Sequence, residues 1–382
     1  MIPRLLAVPK ASFLLLGPRG TGKSSWARDS LPDAVVVDLL EGDTYVELLA
    51  SPERLGRRIP KGHRGWVVLD EVQKVPALLD EVHRRIERDQ TRFALLGSSA
   101  RQLRRGGVNL LAGRAVSRSM HPLTAAEITG DDDVARALTV GRLPAAHTSP
   151  TNEDARDYLR SYVRTYLREE VQAEGLTRNL AAFTRFLETA SFSQGAVLNI
   201  SAVSRECHVE RKVAEDYFRI AEDLLIAVRL TPFTRRAQRR VVAHPKFYFF
   251  DAGVFSAIRP RGPLDGSETV VGPALETLVL QELRAINDYL ALEYELHYWR
   301  THDGTEVDFV LYGPNGLVAI EVKSGSRVRS EDLTALREFA ADYPMARTTL
   351  VYGGTRRERD GDIDVVPVGD FLRELPTTLR GA

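Results

Sequence analysis

The stretch GPRGTGKSS, residues 17–25, follows the apolar run SFLLL and fixes what the start of this chain can fold into. Gly17, Gly22, Lys23 and Ser24 supply G-x-x-x-x-G-K-S, and the surrounding pattern predicts a strand before the loop and a helix from Lys23 onward. Glycines let successive backbone N–H groups turn inward around phosphate oxygens, at the positive end of the following helix. Gly17, Pro18, Arg19, Gly20, Thr21, Gly22, Lys23, Ser24 and Ser25 are therefore the candidate phosphate cradle. Lys23 is expected to reach the β- and γ-phosphates and Ser24 to hold Mg²⁺, which makes ATP and Mg²⁺ the expected cofactors.

A second stretch has the matching chemistry. GWVVLDEVQKVP is a near-continuous apolar run, as for a strand buried on both faces, and it ends in Asp70 and Glu71. Asp70 is placed for the magnesium shell, and Glu71 is placed to polarise a water as general base. A helix is expected after Pro76, with Leu78, Leu79, Val82 and Ile86 at helical spacing. FALLGSSARQL then reads as another buried strand, ending in Ser98 and Ser99. In ATPases of this build a small polar residue there meets the γ-phosphate or the attacking water; equally, either serine can cap the next helix. Arg114 is a candidate arginine finger acting on a neighbouring subunit's nucleotide, with a surface or structural arginine as the alternative.

The remaining length must use or transmit that nucleotide. At 382 residues the chain is expected to form two or three domains. Its 52 basic and 52 acidic residues cancel, which excludes a global field steering it toward nucleic acid or a membrane and leaves local patches to do so. One cysteine, Cys207, excludes an internal disulfide framework and fits a reducing cytoplasm. The apolar N-terminus runs into the glycine loop as a strand, not a signal peptide, and no apolar run is long enough to span a membrane. Only seven of the basic residues are lysine, so a lysine marks a position that wants a compact ammonium.

Acids, Gly and Pro between residues 130 and 152 mark a domain edge. ARDYLRSYVRTYLREEVQ reads as a helix with Tyr158, Tyr162, Tyr166 and Leu167 on a core-facing side. Residues 200–234 have the rhythm of helix, turn, longer helix and strand, which with TRRAQRRVV suggests a winged helix. Its second helix mixes Arg211, Lys212 and Arg219 with five acids, which argues against reading bases in a groove. Arg235, Arg236, Arg239 and Arg240 are better placed for phosphates; the alternative is a module that packs on its neighbours, with solvated arginines.

Near the C-terminus, ELHYWRTHDGTEVDFVLYGPNGLVAIEVKSG predicts three strands with turns at Asp303-Gly304 and Gly313-Pro314. A hairpin would set Asp308 beside Glu321, with Lys323 on the same face two residues on. Unpaired acids on strands this apolar would be expensive, so a divalent-cation site or a tight internal ion pair is expected. The pattern resembles the PD-(D/E)xK nuclease signature, in which Glu276 would match the accessory acid and the order αβββαβ would follow.

The P-loop, Asp-Glu, Gly-Ser-Ser and LAGR…HPL resemble AAA-type ATPases of bacteria and archaea. More narrowly, they resemble the group in which that domain is fused to a C-terminal domain of unknown function; PKFYFFDAGV, GPALETLVLQEL and EVDFVL…AIEVKSG carry the likeness onward. The expected architecture is α/β: an AAA-type P-loop domain at residues 1–130, a helical linker or lid at 131–175, a winged-helix-like domain at 176–243 and a nuclease-like α/β domain at 244–382. The expected activity is Mg²⁺-dependent ATP hydrolysis by a cytoplasmic homo-oligomer, with nuclease activity left open. It would be coupled to binding or remodelling of DNA without sequence preference, and no membrane is involved. The alternative is a nucleotide-controlled protein-interaction switch whose nuclease-like part is a scaffold.

Overall fold

The computed structural model describes residues 2–99, 113–130, 133–166, 171, 179–235, 244–262 and 268–381. They form two compact units: residues 3–121 with 223–226, and residues 122–222 with 227 onward.

The first unit is built on a parallel sheet of β1 (Phe13–Leu16), β2 (Val35–Asp38), β3 (Trp66–Asp70), β4 (Arg92–Gly97) and β5 (Val116–Ser119), in the order β2-β3-β4-β1-β5. Burial follows that order. Central β4 is buried from Phe93 to Gly97 and β3 from Val67 to Asp70, whereas the edge strand β5 reads VSRS and is partly exposed. Helices α1 (Lys23–Ser30), α2 (Gly42–Ala50) and α3 (Leu78–Asp89) are the main helical elements of this unit. Leu78, Leu79 and Val82 bury the apolar stripe of α3 in a core shared with Leu69, Phe93 and Leu95. The ends of β1, β3 and β4 fall side by side, because β4 lies between the other two. Each of those strand ends carries one of the sequence motifs.

The second unit holds an eight-stranded sheet among the described residues: β6 (Ala227–Pro232), β7 (Lys246–Phe249), β8 (Glu295–Arg300), β9 (Glu306–Gly313), β10 (Gly316–Lys323), β11 (Arg347–Tyr352), β12 (Glu358–Asp360) and β13 (Ile363–Pro367), ordered β12-β13-β11-β10-β9-β8-β6-β7. Its helices include α4 (Val134–Val140), α5 (Asn152–Ser161), α6 (Leu180–Ser191), α7 (Ile200–Glu206), α8 (Arg211–Asp223), α9 (Ala252–Ile258), α10 (Glu268–Tyr289), α11 (Thr334–Asp342) and α12 (Val368–Arg380). Thus α10, three antiparallel strands, α11 and β11 succeed one another as the sequence predicts. The turn at Gly304 (φ 98°) and the β9–β10 turn ending at Gly316 (φ 111°) both use backbone conformations that glycine adopts without strain.

Of two middle elements, one differs from expectation. The helix, turn, helix and strand of residues 200–232 form, and residues 236–243 of the expected wing lie outside the described residues. β6 pairs antiparallel with β7 and, at Thr231 and Pro232, parallel with β8. The physical reason is that β7, KFYF, is buried throughout and needs a partner on its hydrogen-bonding edge. The tyrosine-bearing helix is α-helical only to Ser161 and widens to a π turn over Tyr162–Tyr166. Tyr162 is buried and its ring lies 6.3 Å from that of Tyr158. The Tyr166 side chain and Leu167 lie outside the described residues.

Candidate functional site

At the end of β1 the glycine loop closes over its own lysine. Gly20 (φ 80°) and Gly22 (φ 91°) take left-handed backbone, and Gly22 leads directly into α1. Gly17 is as constrained: a Cβ there would lie 2.3 Å from the Met120 carbonyl oxygen. The Lys23 ammonium is buried and donates to the Gly17 and Pro18 carbonyls at 2.8 and 3.2 Å. Thr21 Oγ1 donates to the Pro18 carbonyl at 2.7 Å, and Arg4 donates to the carbonyls of Thr21 and His121 at 2.7 Å each. Arg4 is a supporting residue that the motif does not mark. Arg19 is exposed, and Ser25 sits on the first turn of α1.

At the end of β3, Asp70 is buried and hydrogen-bonded by the Ser24 hydroxyl. Burial pushes its carboxyl above the usual carboxylate range, against the lowering effect of that hydroxyl, and the adjacent Glu71 charge adds to the rise. Glu71 has φ 59°, and its N–H donates to the Asp70 carboxylate at 3.1 Å. A left-handed conformation at a residue with a side chain costs about 1–3 kcal/mol and is typical of functional sites. It turns the Glu71 carboxylate toward the end of β4. There Ser98 Oγ donates to Glu71 Oε2 at 2.9 Å, and Gln73 Nε2 donates to the same Oε2 and to Ser98 Oγ, the latter at 2.9 Å. Both bonds engage Oε2, so among the described residues Oε1 carries no hydrogen bond.

Gln73 is the residue that sequence reasoning missed. It is 5 % exposed, and its Oε1 has no hydrogen-bond partner among the described residues. The signal was an amide two positions after the acid pair, between Val72 and Lys74. Ser98 therefore meets the candidate base directly. Ser99 is fully buried, and the helix it was to cap lies outside the described residues. Arg114 stands apart, 38 % exposed, donating Nε to Glu87 at 2.7 Å.

Ser24 and Asp70 fit a hard divalent cation: both present oxygen, the Ser24 hydroxyl is hydrogen-bonded to Asp70, and Asp70 is buried beside the Glu71 and Asp38 charges.

The second unit gathers Glu276, Asp308, Glu321 and Lys323 as the hairpin register requires. Asp308 N–H donates to Glu321 Oε2 at 3.3 Å, Val322 N–H to Asp308 Oδ2 at 3.0 Å, and Lys323 Nζ to Glu321 Oε1 at 2.5 Å. A further cation stands among them. Lys246, 1 % exposed on β7, donates to Asp308 Oδ1 at 3.0 Å and pairs with Glu306. Tyr248 donates to Glu276 Oε2 at 2.9 Å. Burial alone would lower the Lys246 ammonium, yet the surrounding negative groups hold it well above its ordinary value. Burial, reinforced by Asp308, pushes Glu276 and Glu321 each up to about 8. Two lysines stand among four carboxyl groups, of which burial keeps Glu276 and Glu321 protonated to about pH 8. An ammonium engages Asp308 Oδ1 and another engages Glu321 Oε1, so as arranged these carboxylates are bonded to lysine. Among the described residues no group of three or more His, Cys, Asp or Glu side chains is placed to hold a metal ion.

Of the wing arginines, Arg235 donates to Glu295 at 2.7 Å and lies 4.7 Å from the centre of the Tyr312 ring. Arg236, Arg239 and Arg240 lie outside the described residues.

Comparison with known proteins places names on parts of the chain. Residues 10–129 match the AAA domain family. An ATPase domain of AAA type is thereby supported for the N-terminal part. Residues 131–265 and 271–371 match two domains of unknown function, DUF8612 and DUF4143, so the nuclease-like and winged-helix resemblances gain no support from them. No curated protein matches the chain. Among solved structures, the Thermotoga maritima RuvB Holliday junction branch migration motor is 17 % identical over 57 % of this chain and 82 % of its own, with a TM-score of 0.28. Protein VC1899 from Vibrio cholerae is 14 % identical over 96 % of each chain, with a TM-score of 0.22. Can2 from Sulfobacillus thermosulfidooxidans, solved with cyclic tetra-adenylate, is 10 % identical over 97 % of this chain and all of its own (100 %), with a TM-score of 0.24. Superposition this loose carries no functional argument. No helix among the described residues is long and apolar enough to cross a membrane.

Proposed function

We propose that the chain binds and hydrolyses ATP at the ends of β1, β3 and β4. The observation that carries this reading is the junction of three motifs: Lys23 over the glycine loop, Ser24 bonded to Asp70, and Glu71 anchored through Oε2 to Ser98. Phosphates would lie on the N–H groups of residues 17–25, with Lys23 leaving its two carbonyls for the β- and γ-oxygens. Mg²⁺, held by Ser24 and Asp70, would offset charge on the phosphate oxygens. Glu71 Oε1 would accept a proton from the attacking water, and Ser98 with Gln73 would keep that oxygen aimed. Lys23→Ala should abolish binding of a fluorescent ATP analogue, whereas Glu71→Gln should retain it; full binding by Lys23→Ala would contradict the assignment.

In the finer reading the protein acts as a homo-oligomer, with Arg114 reaching a neighbour's nucleotide, and couples its nucleotide state to nucleic acid held by the second unit. The exposure of Arg114, in a pair with Glu87 that can exchange, supports the first part.

A second reading is favoured for the acid–lysine core by one observation, the Lys246 ammonium among Glu306, Asp308 and Glu276. In it the core is a nuclease-like scaffold that cuts nothing, and the second unit serves binding only. Calorimetry with Mn²⁺ in the Lys23→Ala protein should then detect no binding that Asp308→Ala removes. Metal binding that disappears in Asp308→Ala would restore the catalytic interpretation.

A further inference from the structure

Arg156, Arg160 and Arg164 follow one another at intervals of four along α5 and the π turn. Residues so spaced are neighbours on a helix surface, and like charges there repel. The π turn widens the backbone at Arg164, a feature frequent at functional sites. Arg259 and Arg261 follow the carboxyl end of α9. All five line one cleft of about 510 Å³ that no Asp or Glu among the described residues lines, in a chain whose acids and bases balance overall. Arg160 is engaged by Asp157, and Arg259 donates to the Ser191 carbonyl at 3.1 Å and lies 3.9 Å from the centre of the Phe192 ring. No ion pair among the described residues engages Arg156, Arg164 or Arg261. Ser256 lines the same cleft, and its hydroxyl has no hydrogen-bond partner among the described residues. An adjoining cleft of about 450 Å³ shares Arg160, Arg164 and Arg259 but is otherwise lined by Glu188 and mainly apolar side chains such as Phe183 and Leu187, so the basic surface is that of the first cleft.

We propose that this cleft binds consecutive phosphate groups. Guanidinium forks match phosphate oxygens two at a time, and Arg156, Arg164 and Arg261, which no acid among the described residues engages, repel each other until an anion enters. The volume is within the range of about 300–1,000 Å³ usual for ligand sites. Two sources carry such a ligand: the backbone of single-stranded nucleic acid, and a free polyphosphate. None of these arginines belongs to the glycine loop, so the inference stands whether or not the chain hydrolyses ATP.

The test uses the full chain with Lys23→Ala, which removes the other phosphate site. Binding of fluorescein-labelled oligothymidine is followed by anisotropy over a salt series, and binding of inorganic tripolyphosphate by calorimetry. At least one should bind, and Arg156→Gln, Arg164→Gln and Arg261→Gln together should weaken it about tenfold or more. For oligothymidine, losing three contacts should flatten the plot of log affinity against log salt by about two units. Oligothymidine binding that tripolyphosphate barely displaces identifies nucleic acid as the source; tripolyphosphate binding alone identifies the free anion. Either result supports the cleft, provided the triple variant loses it. Arg164→Gln alone, expected to weaken binding a few-fold, decides the matter if the triple variant melts early. Binding of neither probe, or equal binding by the original and altered proteins, would overturn the proposal.

Discussion

Glu71 is held at two points, a left-handed backbone and a carboxylate oxygen shared by Ser98 and Gln73, and its candidate role depends on both. If Gln73 positions the base, Gln73→Leu should lower kcat by about 10- to 100-fold, a large part of what general-base catalysis contributes, and leave ATP affinity within a few-fold. A parallel loss of affinity would point to a structural role. The same scale governs the acid–lysine core. Glu276 and Glu321 hold their protons to about pH 8 in the folded chain, against an ordinary value of 4.5. Their folded value is raised, so the stability they contribute is complete below the unfolded value and is lost as pH rises through about 8. The melting temperature of the second unit should therefore fall between about pH 5 and about pH 9, and Glu276→Gln should make that fall shallower. Calorimetric melts of the two proteins across that range check it; parallel curves would show that Glu276 does not titrate there. Lys246 was legible only in hindsight. It is one of seven lysines and precedes FYFF, but neither feature reveals which acids a buried ammonium will meet.

At the scale of elements, periodicity and glycine placement were enough for β1, α1, β3, α3, β4 and the β8–β9–β10 meander, because each is a local pattern. The fate of β6 was not. A strand's partner is a non-local matter, and nothing in residues 227–232 indicates that β7 and β8 will flank it. The blocks that carried the likeness to a fused family acquire a physical reading here. Asp251 caps α9 and accepts from Arg142 N–H at 2.8 Å, while Glu282 on α10 pairs with the fully buried Arg142 and accepts from Ala125 N–H at 2.8 Å. Those contacts join α9 and α10 to the segment around residues 125–142. Glu282→Ala leaves Arg142 buried beside a gap, and a loss of about 3–5 kcal/mol is expected in denaturant melts of the whole chain. Gly195 is a second such point. It has φ 72°, and a Cβ would lie 2.8 Å from Glu276 Oε2, so Gly195→Ala should also destabilise, by about 1–3 kcal/mol.

For the whole molecule, charge balance and length excluded a polycation and a single small domain, but neither reveals the assembly. Mixing Arg114→Ala with Glu71→Gln chains addresses it. If Arg114 acts across a boundary, some mixed interfaces hold an intact pair and ATP turnover reappears; chains that never rescue each other, with Arg114→Ala fully active alone, would assign Arg114 to its Glu87 pair. The central claim, that the ends of β1, β3 and β4 form one hydrolytic site, is tested most directly by phosphate release from ATP. The unaltered chain should turn over ATP with Mg²⁺, and Glu71→Gln should hold ATP through gel filtration while releasing about a hundredfold less phosphate or lower. Turnover by Glu71→Gln at the rate of the unaltered chain would contradict it.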